Sequence, residues 1–112
     1  MELIVTSKEL DKKETYFLTK AQDAQKMRDA KDQTLDLAYW CIYEDVNSDG
    51  ELQTIFSCRT DDGDIYATNS DTFIRAFKDI LDVFDPSEIK RIKVASGTSK
   101  NNREFITCIY AE

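Results

Sequence analysis

Ser70-Asp71-Thr72-Phe73-Ile74-Arg75-Ala76-Phe77-Lys78-Asp79-Ile80-Leu81-Asp82-Val83-Phe84 is the stretch that decides how this 112-residue chain is read. Ser70 has the hydroxyl of an N-cap, and Asp71 places a carboxylate at the positive end of a helix. Phe73, Ile74, Phe77, Ile80, Leu81 and Phe84 then recur at helical spacing, so one face carries six large apolar groups. Asp85-Pro86 closes the segment, because the residue before proline avoids the α region. This helix is expected to plug a β structure built from the segments on either side of it.

Upstream, Leu35 to Tyr43 and Leu52 to Cys58 are rich in aromatic and β-branched residues and read as two strands. Asp45-Val46-Asn47-Ser48-Asp49-Gly50 joins them with strong turn composition. If Glu44 lies near Glu51, Tyr43 faces Leu52, Cys41 faces Thr54, Tyr39 faces Phe56 and Leu37 faces Cys58 on a core side. The other side then holds Asp36, Ala38, Trp40, Ile42, Gln53, Ile55, Ser57 and Arg59, with Asp36 opposite Arg59. A second turn, Asp61 to Asp64, leads into the short strand Ile65-Tyr66-Ala67. Downstream, Ile89 to Ala95 and Glu104 to Tyr110 form the last strand pair around the polar loop Ser96 to Arg103. In the first third, Thr15 to Thr19 reads as a strand and Leu3-Ile4-Val5 as a weaker one. Ala21 to Asp32 is open between a polar helix and a loop.

Strands, one helix, then two strands is the wiring of a mainly β, five-stranded barrel of the oligonucleotide-binding (OB) type, with the helix between strands 3 and 4. At 112 residues, residues 1–112 are expected to form a single domain with a core of its own. No targeting or spanning segment is read, since Leu3-Ile4-Val5 is far too short, and a cytoplasmic protein is expected.

The chain has no histidine, which removes the usual neutral-pH general base and the commonest metal ligand, and a non-enzyme without cofactor or metal is expected. Cys41, Cys58 and Cys108 lack C-x-x-C spacing and read as reduced, buried small hydrophobes. Asp45-x-Asn47-x-Asp49-Gly50 imitates the start of a calcium loop, but its twelfth position is Phe56 where a bidentate Glu is needed. Gly97-Thr98-Ser99-Lys100 lacks the paired glycines of a phosphate loop and reads as a flexible hairpin that brings Lys100 and Arg103 to a phosphate backbone.

The net charge of −7 is unevenly spread. Residues 1–32 carry seven basic and seven acidic groups (net 0), residues 33–86 three and twelve (net −9), and residues 87–112 five and three (net +2). Because salt screens fields beyond roughly 8 to 10 Å, a basic surface can coexist with an acidic back. Rings interleaved with basic residues suit unpaired bases, which stack while Lys and Arg follow the phosphates. Trp40, Tyr43 and Tyr66 are the expected stackers, and Arg59, Lys93, Lys100 and Arg103 the expected phosphate contacts. Phe56 and Phe105 are further candidate rings, weighed together with Tyr39 against a place in the core.

At Thr54-Ile55-Phe56, Asp62-Gly63-x-x-Tyr66-Ala67 and above all Ile92 to Phe105, the chain resembles phage-type single-stranded DNA-binding proteins, of the family serving small protein-primed phages of Gram-positive hosts. The likeness covers residues 35 to 110. It implies non-catalytic, largely sequence-independent coating of single-stranded DNA during replication in a bacterial cytoplasm, with self-association along the strand as a compatible mode. Tyr43 and Tyr66 fall where that family places stacking tyrosines, and the three cysteines depart from it. The −9 middle segment motivates the alternative, an acidic DNA mimic that inhibits a host nuclease or other DNA-binding protein.

Overall fold

The computed structural model describes all 112 residues. Seven strands and two α-helices follow in the order β1 (Glu2–Thr6), α1 (Lys12–Thr19), β2 (Gln25–Lys26), β3 (Thr34–Val46), β4 (Leu52–Thr60), β5 (Ile65–Thr68), α2 (Asp71–Leu81), β6 (Arg91–Thr98) and β7 (Glu104–Tyr110), with 3-10 turns at Met27–Ala30 and Pro86–Glu88. The strands bond in the order β2-β5-β4-β3-β6-β7, and β1 pairs with the C-terminal part of β3. The result is a mainly β, curled and open sheet, a half-barrel with two helices where five strands and one helix are expected.

α2 begins as its sequence dictates: the Ser70 hydroxyl accepts the Phe73 N–H at 3.3 Å. Its Phe73, Ile74 and Phe77 are buried in a main core with Trp40, Ile42, Phe56, Ile92 and Val94. Regular helix stops at Leu81 rather than Phe84, and Pro86 opens a 3-10 turn capped by Asp85. α1 occupies the segment expected as the strand Thr15–Thr19. A capping box starts it, with Asp11 accepting the Glu14 N–H at 2.8 Å and Glu14 accepting the Asp11 N–H at 3.1 Å. Ala21 to Asp32 is neither a helix nor wholly a loop, since it contains β2 and the turn Met27–Ala30.

The β3–β4 hairpin forms in a different register from the expected one. Val46 pairs Leu52, Tyr43 pairs Ile55, Ile42 pairs Phe56 and Trp40 pairs Cys58. The connecting turn is the five residues Asn47 to Glu51, with Gly50 at φ +80°. The Asn47 side-chain oxygen accepts the N–H groups of Asp49 and Glu51, each at 2.9 Å. An odd turn in place of an even one exchanges the partners' faces. Even-numbered Trp40, Ile42, Phe56 and Cys58 therefore face the main core, while Tyr39, Cys41 and Tyr43 pack with Leu18 of α1 in a smaller cluster on the opposite side. An irregularity between Leu37 and Tyr39 returns Leu35 and Leu37 to the main core. Asp36 does not face Arg59: it pairs with Arg91 of β6, whose Nε lies 2.5 Å from its Oδ1.

α1 thus covers one face of the β3–β4 region and α2 covers the other. The β6–β7 hairpin is different, because α2 packs on its inner face, formed by Ile92, Val94, Ile106 and Cys108, and no helix covers its outer face. No helix is long and apolar enough to cross a membrane.

Candidate nucleic-acid interface

Trp40 is fully buried. Its ring meets Phe77 edge-on at 4.7 Å between centroids and lies 6.0 Å from Phe56, while its indole N–H donates to the Ile89 carbonyl at 3.1 Å. No ring face is left for a base, which corrects its expected role as a stacker. Tyr66 is buried within the same core. Tyr43 is also buried, in the cluster beneath α1, though its side chain borders an open cleft. Arg59 is drawn away from solvent as well, with its guanidinium 4.2 Å from the Phe17 ring centroid and its Nη1 donating to the Tyr39 hydroxyl at 3.2 Å.

Lys93, Lys100 and Arg103 are exposed, engage in no ion pair and are brought together on the β6–β7 hairpin. Residues alternate across its strands, so Lys93, Ala95 and Gly97 of β6 and Phe105, Thr107 and Ile109 of β7 share the uncovered outer face. Gly97 opposes Phe105, and a Cβ at position 97 would lie 2.6 Å from the tip of the Phe105 ring. The glycine therefore lets the ring settle across β6, where it is 37% exposed. The tip is tied off by the Ser99 N–H donating to the Arg103 carbonyl at 2.8 Å and by Asn102 at φ +57°.

A cleft of about 780 Å³ adjoins the hairpin, between the Met27–Ala30 turn, the β5–α2 junction and the start of β7. Lys26, Arg28, Lys31, Tyr43, Ile55 and Phe105 are among its lining residues. Lys31 is hydrogen-bonded to Glu104, which raises the lysine's pKa and ties the turn to the hairpin. Lys26 and Arg28 have no acidic partner. A second cleft, of about 750 Å³, mixes signs: its Arg91 is already held by Asp36 and by the Glu112 carbonyl at 2.8 Å.

Phe105, Lys26, Arg28 and Lys31 stand where the expected aromatic set does not. A sequence signal for the hairpin exists: Ile89 to Arg103 is the longest stretch without Asp or Glu, 15 residues between Glu88 and Glu104 in a chain with 22 acidic residues. No comparable signal marks Lys26 to Lys31, where Asp29 interrupts the basic residues. The three thiols are poor nucleophiles, because burial pushes Cys41, Cys58 and Cys108 each up to about 12. In comparisons with known protein families, curated proteins and solved structures, the chain matches none.

Proposed function

We propose that this protein binds single-stranded nucleic acid without catalysis and with little sequence preference, through the outer face of β6–β7 and the cleft beside it. The observation that carries this reading is the hairpin itself: an uncovered sheet face on which the partly exposed Phe105 ring lies across β6, the strand set in the acid-free stretch, with Lys93, Lys100 and Arg103 around it in no ion pair. Bases would stack at Phe105, and phosphates would follow Lys93, Lys100 and Arg103 toward Lys26 and Arg28. The half-barrel takes the place of a closed five-stranded OB barrel as the platform. DNA as the strand, and phage replication in a bacterial cytoplasm as the setting, follow from the sequence resemblance.

The DNA-mimic alternative needs an uninterrupted acidic face. Here the acid is divided among the β3–β4 turn, the Asp61–Asp64 turn and the solvent side of α2, where Arg75 and Lys78 intervene. Asp45 is further occupied by Lys20 and the N-terminus. This distribution favours the strand-binding reading.

The test is anisotropy of a labelled oligo-dT and of its duplex across a salt series. Wild type should prefer the single strand, and each true phosphate contact removed by Lys93→Ala, Lys100→Ala or Arg103→Ala should flatten the salt slope by about 0.7. Phe105→Ala should cost about 1 to 3 kcal/mol of binding. Absence of binding at low salt, or four variants that bind like wild type, would overturn the proposal.

A further inference from the structure

The half-barrel is open, and its edges are unequally protected. β2 is a two-residue edge carrying Lys26, and β1 starts with Glu2 and is irregular between Leu3 and Val5. Short length, charge and irregularity all discourage pairing with another chain. β7 pairs with β6 alone. Its run Phe105-Ile106-Thr107-Cys108-Ile109-Tyr110 has no charge, proline or glycine and a smooth register throughout. Within it, Ile109 is 49% exposed.

The Ser99 N–H donates to Arg103 at one end of the hairpin and the Ala111 N–H to Arg91 at the other. Bonded pairs alternate in an antiparallel ladder, so the odd residues of β7 bond to β6 and the even ones, Glu104, Ile106, Cys108 and Tyr110, direct their N–H and C=O groups toward the open edge. Such an edge accepts an added strand.

We infer that β7 pairs antiparallel with β7 of a second copy of this chain, about a two-fold axis at Thr107. In that register Ile106 and Cys108 exchange hydrogen bonds with Cys108 and Ile106 of the partner copy. On the outer face Phe105 lies opposite the other copy's Ile109, an aromatic–β-branched pair, and Thr107 lies opposite itself; both are favourable cross-strand combinations. Shifting the axis to Cys108 sets Glu104 against Glu112, a like-charge pair. Shifting it to Ile106 separates Phe105 from Ile109. The β7 sequence is therefore self-complementary in one register, and that selects a second copy over a foreign peptide. The paired hairpins would form a continuous four-stranded surface with a basic tip at each end. The inference stands apart from nucleic-acid binding, and its test contains none.

Sedimentation of the protein alone across a concentration series should show the mass doubling. Thr107→Lys, which sets like charges against each other on the axis of an uncovered face, should remain folded by circular dichroism and stay monomeric. Thr107→Cys should form a disulfide-linked dimer under oxidised glutathione, since the two positions would form a closely spaced non-hydrogen-bonded pair. Leu52→Cys, exposed at the far hairpin, should not match it. A monomer at every concentration, or a Thr107→Cys variant that cross-links no faster than Leu52→Cys, would overturn the inference.

Discussion

Trp40 reports on the core rather than on a ligand. Enclosed by Phe56 and Phe77 and bonded to Ile89, its emission should be blue-shifted, resist acrylamide and change little when oligo-dT is added. Red-shifted emission or strong quenching by the strand would contradict this placement. Replacing Trp40 by alanine should cost about 3 to 5 kcal/mol of stability, read from denaturant unfolding. The thiols make a second prediction. Cys41, Cys58 and Cys108 stay protonated in the fold up to about 12, against an ordinary value of 9.0. Above pH 9 the unfolded chain releases these protons and the folded chain keeps them, so stability is fully present below pH 9 and is lost as pH rises toward 12. The slope is about 1.4 kcal/mol per pH unit for each thiol, and a denaturation midpoint that stays flat from pH 9 to 11 would refute it. Residue identity made the cysteines legible in the sequence, as small apolar groups without metal spacing. It left Trp40 unreadable, because a tryptophan belongs equally to a core or a stacking surface until its strand face is known.

That face is decided at the scale of elements, by the turn that Asn47 builds. Its side chain holds the Asp49 and Glu51 N–H groups, so Asn47→Ala should cost about 1 kcal/mol of stability and leave the register intact, measurable by urea denaturation. A loss near zero would mean that these bonds do not shape the turn. Turn composition placed a hairpin connection at Asp45 to Gly50, and the structure has one at Asn47 to Glu51, with Asp45 and Val46 still in β3, because composition does not count residues. One residue more or less exchanged every partner along β3 and β4. α2 was legible from Ser70 onward because cap, charge and apolar spacing agree there. α1 was not, because Tyr16-Phe17-Leu18-Thr19 has strand-like composition, while the signal that prevails, Asp11 with Glu14, lies before it. Lys93, Lys100 and Arg103 were legible as a group because one short hairpin carries all three. Phe105 was weighed as a ring against a place in the core, and the open outer face that exposes it depends on where both helices pack.

Across the whole molecule, chain order and charge order coincide. The acidic middle of the chain builds β3, β4, β5 and α2, and most of the basic residues near its end lie on one hairpin, whose inner face packs against α2 and whose β6 pairs with β3. The chain's net charge of −7 is therefore a poor guide to what the hairpin meets. The strand order of the half-barrel was partly legible, since hairpins pair neighbours in sequence. The β3–β6 pairing and the return of β1 to β3 join distant segments that no local pattern announces. The most direct test is a two-dimensional amide NMR titration of the isotope-labelled protein with unlabelled oligo-dT at low salt. Shifts concentrated at residues 26–31 and 93–109, fading as salt is raised, are the predicted result. Shifts centred on the Asn47–Glu51 turn or the exposed side of α2, or a spectrum unchanged at saturating strand, would contradict it.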